Sequence, residues 1–106
     1  MSVSAIASNN QQEIHNKIEE VKQRFGGDIV AIRYDIDTDW VGDPAVHFRI
    51  LLPDAVGNNR QRLADVTRRV RRELIDELGF AESERIPYFN FRGQSEQAEL
   101  KDPEWD

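Results

Sequence analysis

The chain has no cysteine among its 106 residues, which excludes disulfides, thiolate metal sites and cysteine nucleophiles and suits a reducing cytoplasm. Long apolar runs are also missing. No segment approaches the roughly 20 residues that span a bilayer, so no membrane contact is expected. The first residues, MSVSAIASNNQQ, show neither a basic region nor an apolar one; they carry no secretory pattern, and residues 1–9 read as a mobile leader. Histidine is scarce. His15 and His47 are the only two, and no serine, cysteine or metal-ligand set surrounds either. A His47–Asp35 or His47–Asp37 acid/base pair is chemically conceivable, but a surface ion pair is the commoner meaning of that pattern. There is no glycine-rich phosphate loop, because Gly26-Gly27 precedes a strand where such a loop follows one. The sequence therefore predicts a protein that is not an enzyme and uses no cofactor. Basic charge is the minority, 14 Lys and Arg against 20 Asp and Glu, for a net charge of -6. That balance disfavours polyphosphate partners, whose affinity comes from neutralised phosphates. It suits a soluble, cytoplasmic protein that pairs with a more basic one.

What is present is a regular alternation of helix and strand signals. Asn10 through Glu13 has the spacing of a capping box, and Ile14, Ile18, Val21 and Phe25 follow on one helical stripe that Gly26-Gly27 ends. Val30, Ile32, Tyr34 and Ile36 alternate with polar residues, as do Val46, Phe48, Ile50 and Leu52, so two half-buried strands are expected. Gly42 and Asp43-Pro44 mark the turn between them, and a connection this short makes the pair antiparallel. Residues 53–58 read as a loop. Asn58 or Asn59 then caps a second helix with Leu63, Val66, Val70, Leu74 and Leu78 on its buried stripe, stopping at Gly79. Ile86 through Arg92 reads as a third, short strand with Phe89 and Phe91 turned to the helices, Pro87 marking a start or an edge.

The expectation is one α+β domain over residues 10–93, in the order α-β-β-α-β, followed by an acidic polar tail over 94–106. A three-stranded sheet would carry two helices packed on one face. A single crossover helix makes the third strand parallel to the second; a break in that helix would reverse it. The position of the third strand within the sheet is left open.

Four places compete for function. At the hairpin end, Asp35, Asp37, Asp39 and Asp43 offer oxygen ligands for a hard cation, yet Trp40 and Val46 stand where a calcium loop needs glycine and glutamate. Metal binding is thus the weakest reading, behind a charge-trimmed strand end. The face of the sheet away from the helices presents Arg33, His47, Arg49, Tyr88, Asn90 and Arg92, a mixture suited to a protein partner or a second copy, although a sheet face open to water needs no purpose. On the second helix, Arg62, Arg68, Arg69 and Arg72 could follow a phosphate backbone, but Asp65 and Asp76 interleave at ion-pair spacing. In the tail, Trp105 between carboxylates is an aromatic of the kind that anchors interfaces, whether on its own sheet or on a partner.

The stretch WVGDPAVH (40–47), with PYFNFR (87–92), resembles a family of small uncharacterised bacterial proteins, from which no activity carries over. The order α-β-β-α-β, with an Arg-rich helix leading to a short last strand over 68–92, resembles ribosome-binding factor A and type II KH-like domains. That resemblance implies RNA binding through a helix-turn-helix element and a basic face, although the G-x-x-G loop is missing. The expectation from the residues is a non-catalytic protein-interaction module: a homo-oligomer, or an acidic accessory or antitoxin-like partner of another protein. The alternative is an RNA-binding KH-like domain.

Overall fold

A computed structural model describes residues 4–8 and 10–105. Helix α1 spans Ala5–Ser8, α2 Gln11–Arg24, α3 Asp54–Gly57, α4 Arg60–Leu78 and α5 Gln94–Leu100; the strands are β1 Ala31–Thr38, β2 Pro44–Leu52 and β3 Ile86–Gly93. Local chemistry sets the boundaries of the two long helices. The Asn10 side chain accepts the Glu13 N–H and that of Asn59 accepts the Arg62 N–H, satisfying donors that a helix start leaves unpaired. Gly79 ends α4 in the left-handed region at φ 73°, with its N–H returned to the last turn.

The sheet has the order β1-β2-β3. β1 pairs with β2 antiparallel, with Tyr34 opposite Phe48 and Asp35 opposite His47. β3 lies on the other side of β2 and runs parallel to it, with Phe48 opposite Phe89 and His47 opposite Tyr88. The alternation read from the sequence holds. Val46, Phe48, Ile50 and Leu52 are buried together with Ile14, Ile18 and Val21 of α2 and Val66, Val70, Leu74 and Leu78 of α4. Phe48 is the centre of this layer, stacked on Phe89 (centroids 5.2 Å apart) and edge-on to Phe80.

Three segments differ from expectation. Within the expected leader, residues 5–8 form α1, whose Ile6 is fully buried in the core; residues 1–3 and 9 lie outside the described residues. Residues 53–58, expected as a loop, contain the single helical turn α3, so the helical crossover is broken at Asn58-Asn59. β3 nevertheless keeps its parallel direction. A four-residue turn (Asp54–Gly57) advances the chain by only about 6 Å, too little to carry it back along the sheet. Finally, the expected tail is folded onto the domain. α5 and a 3-10 turn over Pro103–Trp105 follow β3, Gln97 and Trp105 are buried, and the Ser95 N–H donates to Asp54 Oδ1 at 3.0 Å.

Candidate functional site

Because both long helices cover one face, the odd-numbered residues of β1 and β2 and the even-numbered ones of β3 form the other. Registry places them in rows: Arg33, Arg49 and Asn90 in one, Asp35, His47 and Tyr88 in the next, Asp37, Ala45 and Ile86 nearest the hairpin turn. The predicted partner-binding residues thus do share a surface. They divide between two ends with different chemistry.

At the end from which α5 leaves, two cationic side chains, Arg49 and Arg92, are engaged by the chain's own C-terminal segment. Arg49 Nε donates to the Glu104 carbonyl at 2.7 Å, and its Nη2 lies 2.6 Å from Asp35 Oδ2. The Arg92 guanidinium stands 4.4 Å from the centre of the Trp105 ring, donates to Gln97 Oε1 at 2.7 Å and lies 3.5 Å from Asp102 Oδ2. Gln97 Nε2 in turn donates to the Asp102 carbonyl. Trp105, a candidate anchor for a partner, is therefore docked in cis at 7% exposure. Between this strap and the sheet lies a polar cleft of about 420 Å³ lined by Asp37, His47, Arg49 and Trp105 among others.

The hairpin end is built differently. Asp39 fixes the turn: its Oδ1 accepts the N–H groups of Val41 (3.1 Å) and Asp43 (2.9 Å), and its Oδ2 accepts the Tyr88 hydroxyl at 3.0 Å. Gly42 takes φ 90°, a conformation that costs glycine nothing. Partial burial pulls the Asp39 carboxyl upward, but the hydrogen bonds from Asp43, Tyr88, Val41 and Gly42 together outweigh it and hold it below its ordinary range. Partial burial, followed by the bond to Asp39, pushes the Tyr88 phenol up. Tyr88 stacks on the His47 ring (5.4 Å, 15°), and His47 Nε2 lies 3.0 Å from the Thr38 carbonyl. A carbonyl only accepts, so Nε2 carries the proton. Trp40 also packs against Tyr88, tilted on its ring at 5.9 Å.

Despite that contact Trp40 is 84% exposed, with Val41 at 68% and Ile86 at 41%. These three are the residues that reading the sequence for a site passed over. The signal was there in part. Two large apolar residues inside a Gly- and Asp-rich turn have no core to reach, whereas Ile86 looked like an ordinary strand residue.

The other candidates fare less well. Asp35 is committed to Arg49 and Asp39 to its own turn, and among the described residues no group of three or more His, Asp or Glu could hold a metal ion. The four carboxylates of the hairpin end thus do not converge on one point. On α4, Arg62 pairs with Asp28, Arg68 with Asp65 at 2.8 Å, and Arg69 reaches Asp65 at 3.9 Å while lying over the Phe25 ring. Asp65 does what its spacing implied, whereas Asp76, at the same spacing from Arg72, forms no such pair among the described residues. Arg72 stays exposed, so three of the four arginines proposed for phosphate contact already face carboxylates. Among the described residues no helix is long and apolar enough to cross a membrane. No protein-family model matches the sequence, and neither the curated proteins nor the solved structures include one significantly similar to it.

Proposed function

We propose that this domain is a non-catalytic protein-interaction module whose contact surface is the hairpin end of the open sheet face. The observation that carries this is the exposure of Trp40 and Val41 on a turn that Asp39 clamps and Tyr88 backs. Tryptophan exposed to this degree leaves a large apolar area in water, and aromatic anchors supply most of the energy at protein interfaces. A turn already held in one conformation loses little entropy on docking. The polar part of the face, where Arg49 and Arg92 lie, is closed by residues 102–105 and presents less free surface.

A photo-crosslinking residue introduced at position 41, with one at the exposed Glu20 of α2 as control, tests the reading in cells. A discrete adduct from position 41 alone is expected, and its mass distinguishes another protein from a second copy. Equal yields from the two positions, or none from either, would overturn it.

One observation favours a second reading. The break at Asn58-Asn59 turns the expected single crossover into helix, turn and helix, and the parallel β2–β3 pair completes the order α-β-β-α-α-β, which is more similar to a type II KH-like domain than the unbroken order was. On that reading Arg60 and Arg72, with Arg62 and Arg68, would meet an RNA backbone, against a net charge of -6 and the ion pairs described above. Salt-dependent retention on immobilised RNA, lost in the Arg60→Glu, Arg72→Glu variant, is its signature; absence of retention at low ionic strength would dispose of it.

A further inference from the structure

We infer that the hairpin end accepts a cationic segment of another protein, an arginine- or lysine-bearing stretch whose charged head lies on the open side of the Trp40 ring, with Asp37 and Asp43 as its counter-charges. This rests on the protein-interaction reading above and adds the chemistry of the partner.

The charge distribution around the exposed ring carries the inference. Residues 37–44, DTDWVGDP, hold three carboxylates and no lysine or arginine. Asp37 and Asp43 are exposed. Asp39 points inward to the turn amides and Tyr88. Its depressed pKa keeps it ionised at neutral pH, so it adds to the negative field without being available for contact. Past Pro44 the same end continues into a groove of about 340 Å³ whose walls include the exposed Glu82 and Glu84, with Arg85 as the opposing charge. An exposed aromatic ring in a turn that also carries exposed carboxylates is complementary to a guanidinium or ammonium group. Tryptophan offers the best cation–π face of the three aromatic side chains, and desolvation of the pair strengthens it. The molecule already places a guanidinium over a tryptophan, with Arg92 at 4.4 Å over Trp105.

The same charges argue against a second copy as the occupant. A two-fold contact through this surface would bring the same acidic patch of two molecules together, and like charges across an interface oppose association. A neutral apolar partner would leave Asp37 and Asp43 without counter-ions at the rim. A cationic one satisfies both the ring and the carboxylates.

The test uses Trp40 as reporter in a Trp105→Phe background, where it is the only remaining tryptophan of the two in the chain. The same titration is read in the unsubstituted protein from the Trp40 indole N–H by NMR, in case Trp105→Phe disturbs the fold. Three short peptides serve as probes: alternating arginine and glycine, alternating glutamate and glycine, and alternating leucine and serine. The arginine peptide is expected to bind at least about tenfold more tightly than the other two, to weaken as salt is raised, and to lose most of that advantage in the Asp37→Asn, Asp43→Asn variant. Equal or tighter binding of the leucine peptide would overturn the cationic assignment and leave the docking surface standing. Failure of every peptide to move the Trp40 signal would also overturn it, while the crosslink from position 41 reports separately on whether the surface docks a protein at all.

Discussion

Replacing Trp105 by alanine separates a strap that is docked from a core that is folded. Trp105 is 7% exposed. Burying about 200 Å² of an indole at about 25 cal/mol per Å² gives about 5 kcal/mol, and the stacked Arg92 adds about 1 kcal/mol. Against this stands the ordering of residues 102–105, at about 1–2 kcal/mol per residue, or about 6 kcal/mol for the segment. The two nearly cancel, so the strap is held by a small margin and by its polar contacts to Arg49 and Gln97. A tryptophan in a fully cooperative core costs about 3–5 kcal/mol on truncation to alanine. Here the strap can undock while the sheet stays folded, and the loss of global stability is limited to the docking margin, about 1–2 kcal/mol. The urea midpoint should therefore fall slightly at unchanged slope. Hydrogen exchange should accelerate at the amides of Lys101 and Glu104, which bond to Gln97 O and Asp102 Oδ1, and stay slow in β2. A loss of the full core magnitude, or unchanged exchange at Lys101 and Glu104, would refute the reasoning.

Phe48→Ala should cost about 3–5 kcal/mol in urea unfolding, because the ring is fully buried between Phe89 and Phe80 and the sheet and helices prevent the cavity from collapsing. Gly79→Ala and Gly42→Ala both place alanine at positive φ, which costs about 1 kcal/mol on conformational grounds. At Gly79 the new Cβ would also come within 2.2 Å of Ser4 Cβ, whereas at Gly42 it meets open space, so the Gly79 variant should have the clearly lower thermal midpoint. On acidification, Asp39 and Asp54 decide the order of events. The Asp54 carboxyl is held low by the Ser95 hydroxyl and then by its N–H, as Asp39 is by its turn. A carboxylate with a depressed folded pKa contributes stability that is complete above its unfolded pKa and lost as pH falls through the folded one. The hairpin turn and α5 should thus hold down to about pH 4 and loosen below it, seen as changes at Trp40 and the Ser95 amide; loosening already complete at pH 6 would contradict the assignment.

How much of this was readable in the sequence depends on the range of the interaction. The two long helices were legible because their stripes repeat at each turn and their caps, Asn10 and Asn59, accept an N–H only three residues on. The strand faces were legible because Val46 to Leu52 alternate strictly. α3 was not, since a single turn after Pro53 is too short to show a period. Ile6 looked like a stray apolar residue in a polar leader, and its burial comes from α1 packing against α2, α4 and the turn after Gly79, a contact that leaves no local pattern. In the site, the pairing of Asp65 with Arg69 followed from i,i+4 spacing. The bond from Arg49 to the Glu104 carbonyl joins residues far apart in the chain, and Gln97 is buried because it bridges Arg92 and the Asp102 carbonyl, a role that hydropathy does not register. Trp105 was noticed for its type, but its type could not say which surface it would cover.

The topology explains why the strap covers one end of the face and leaves the other. β2 and β3 run parallel, and the turn that joins β1 to β2 precedes β2, so the hairpin lies at the start of β3. The tail departs from the opposite end, after Gly93. From there α5 and the 3-10 turn return far enough to engage Arg92 and Arg49, the residues of the nearer rows. Trp40 and Val41 stay exposed beyond the row that holds Ile86. Self-docking and the partner docking proposed above would therefore occupy different ends of one sheet. Trp105→Ala should leave the crosslink from position 41 at its original yield, whereas Trp40→Ser should abolish it. A rise in that yield on removing Trp105 would mean instead that the strap and the partner contend for the same surface, and the division of the face into two independent ends would fall.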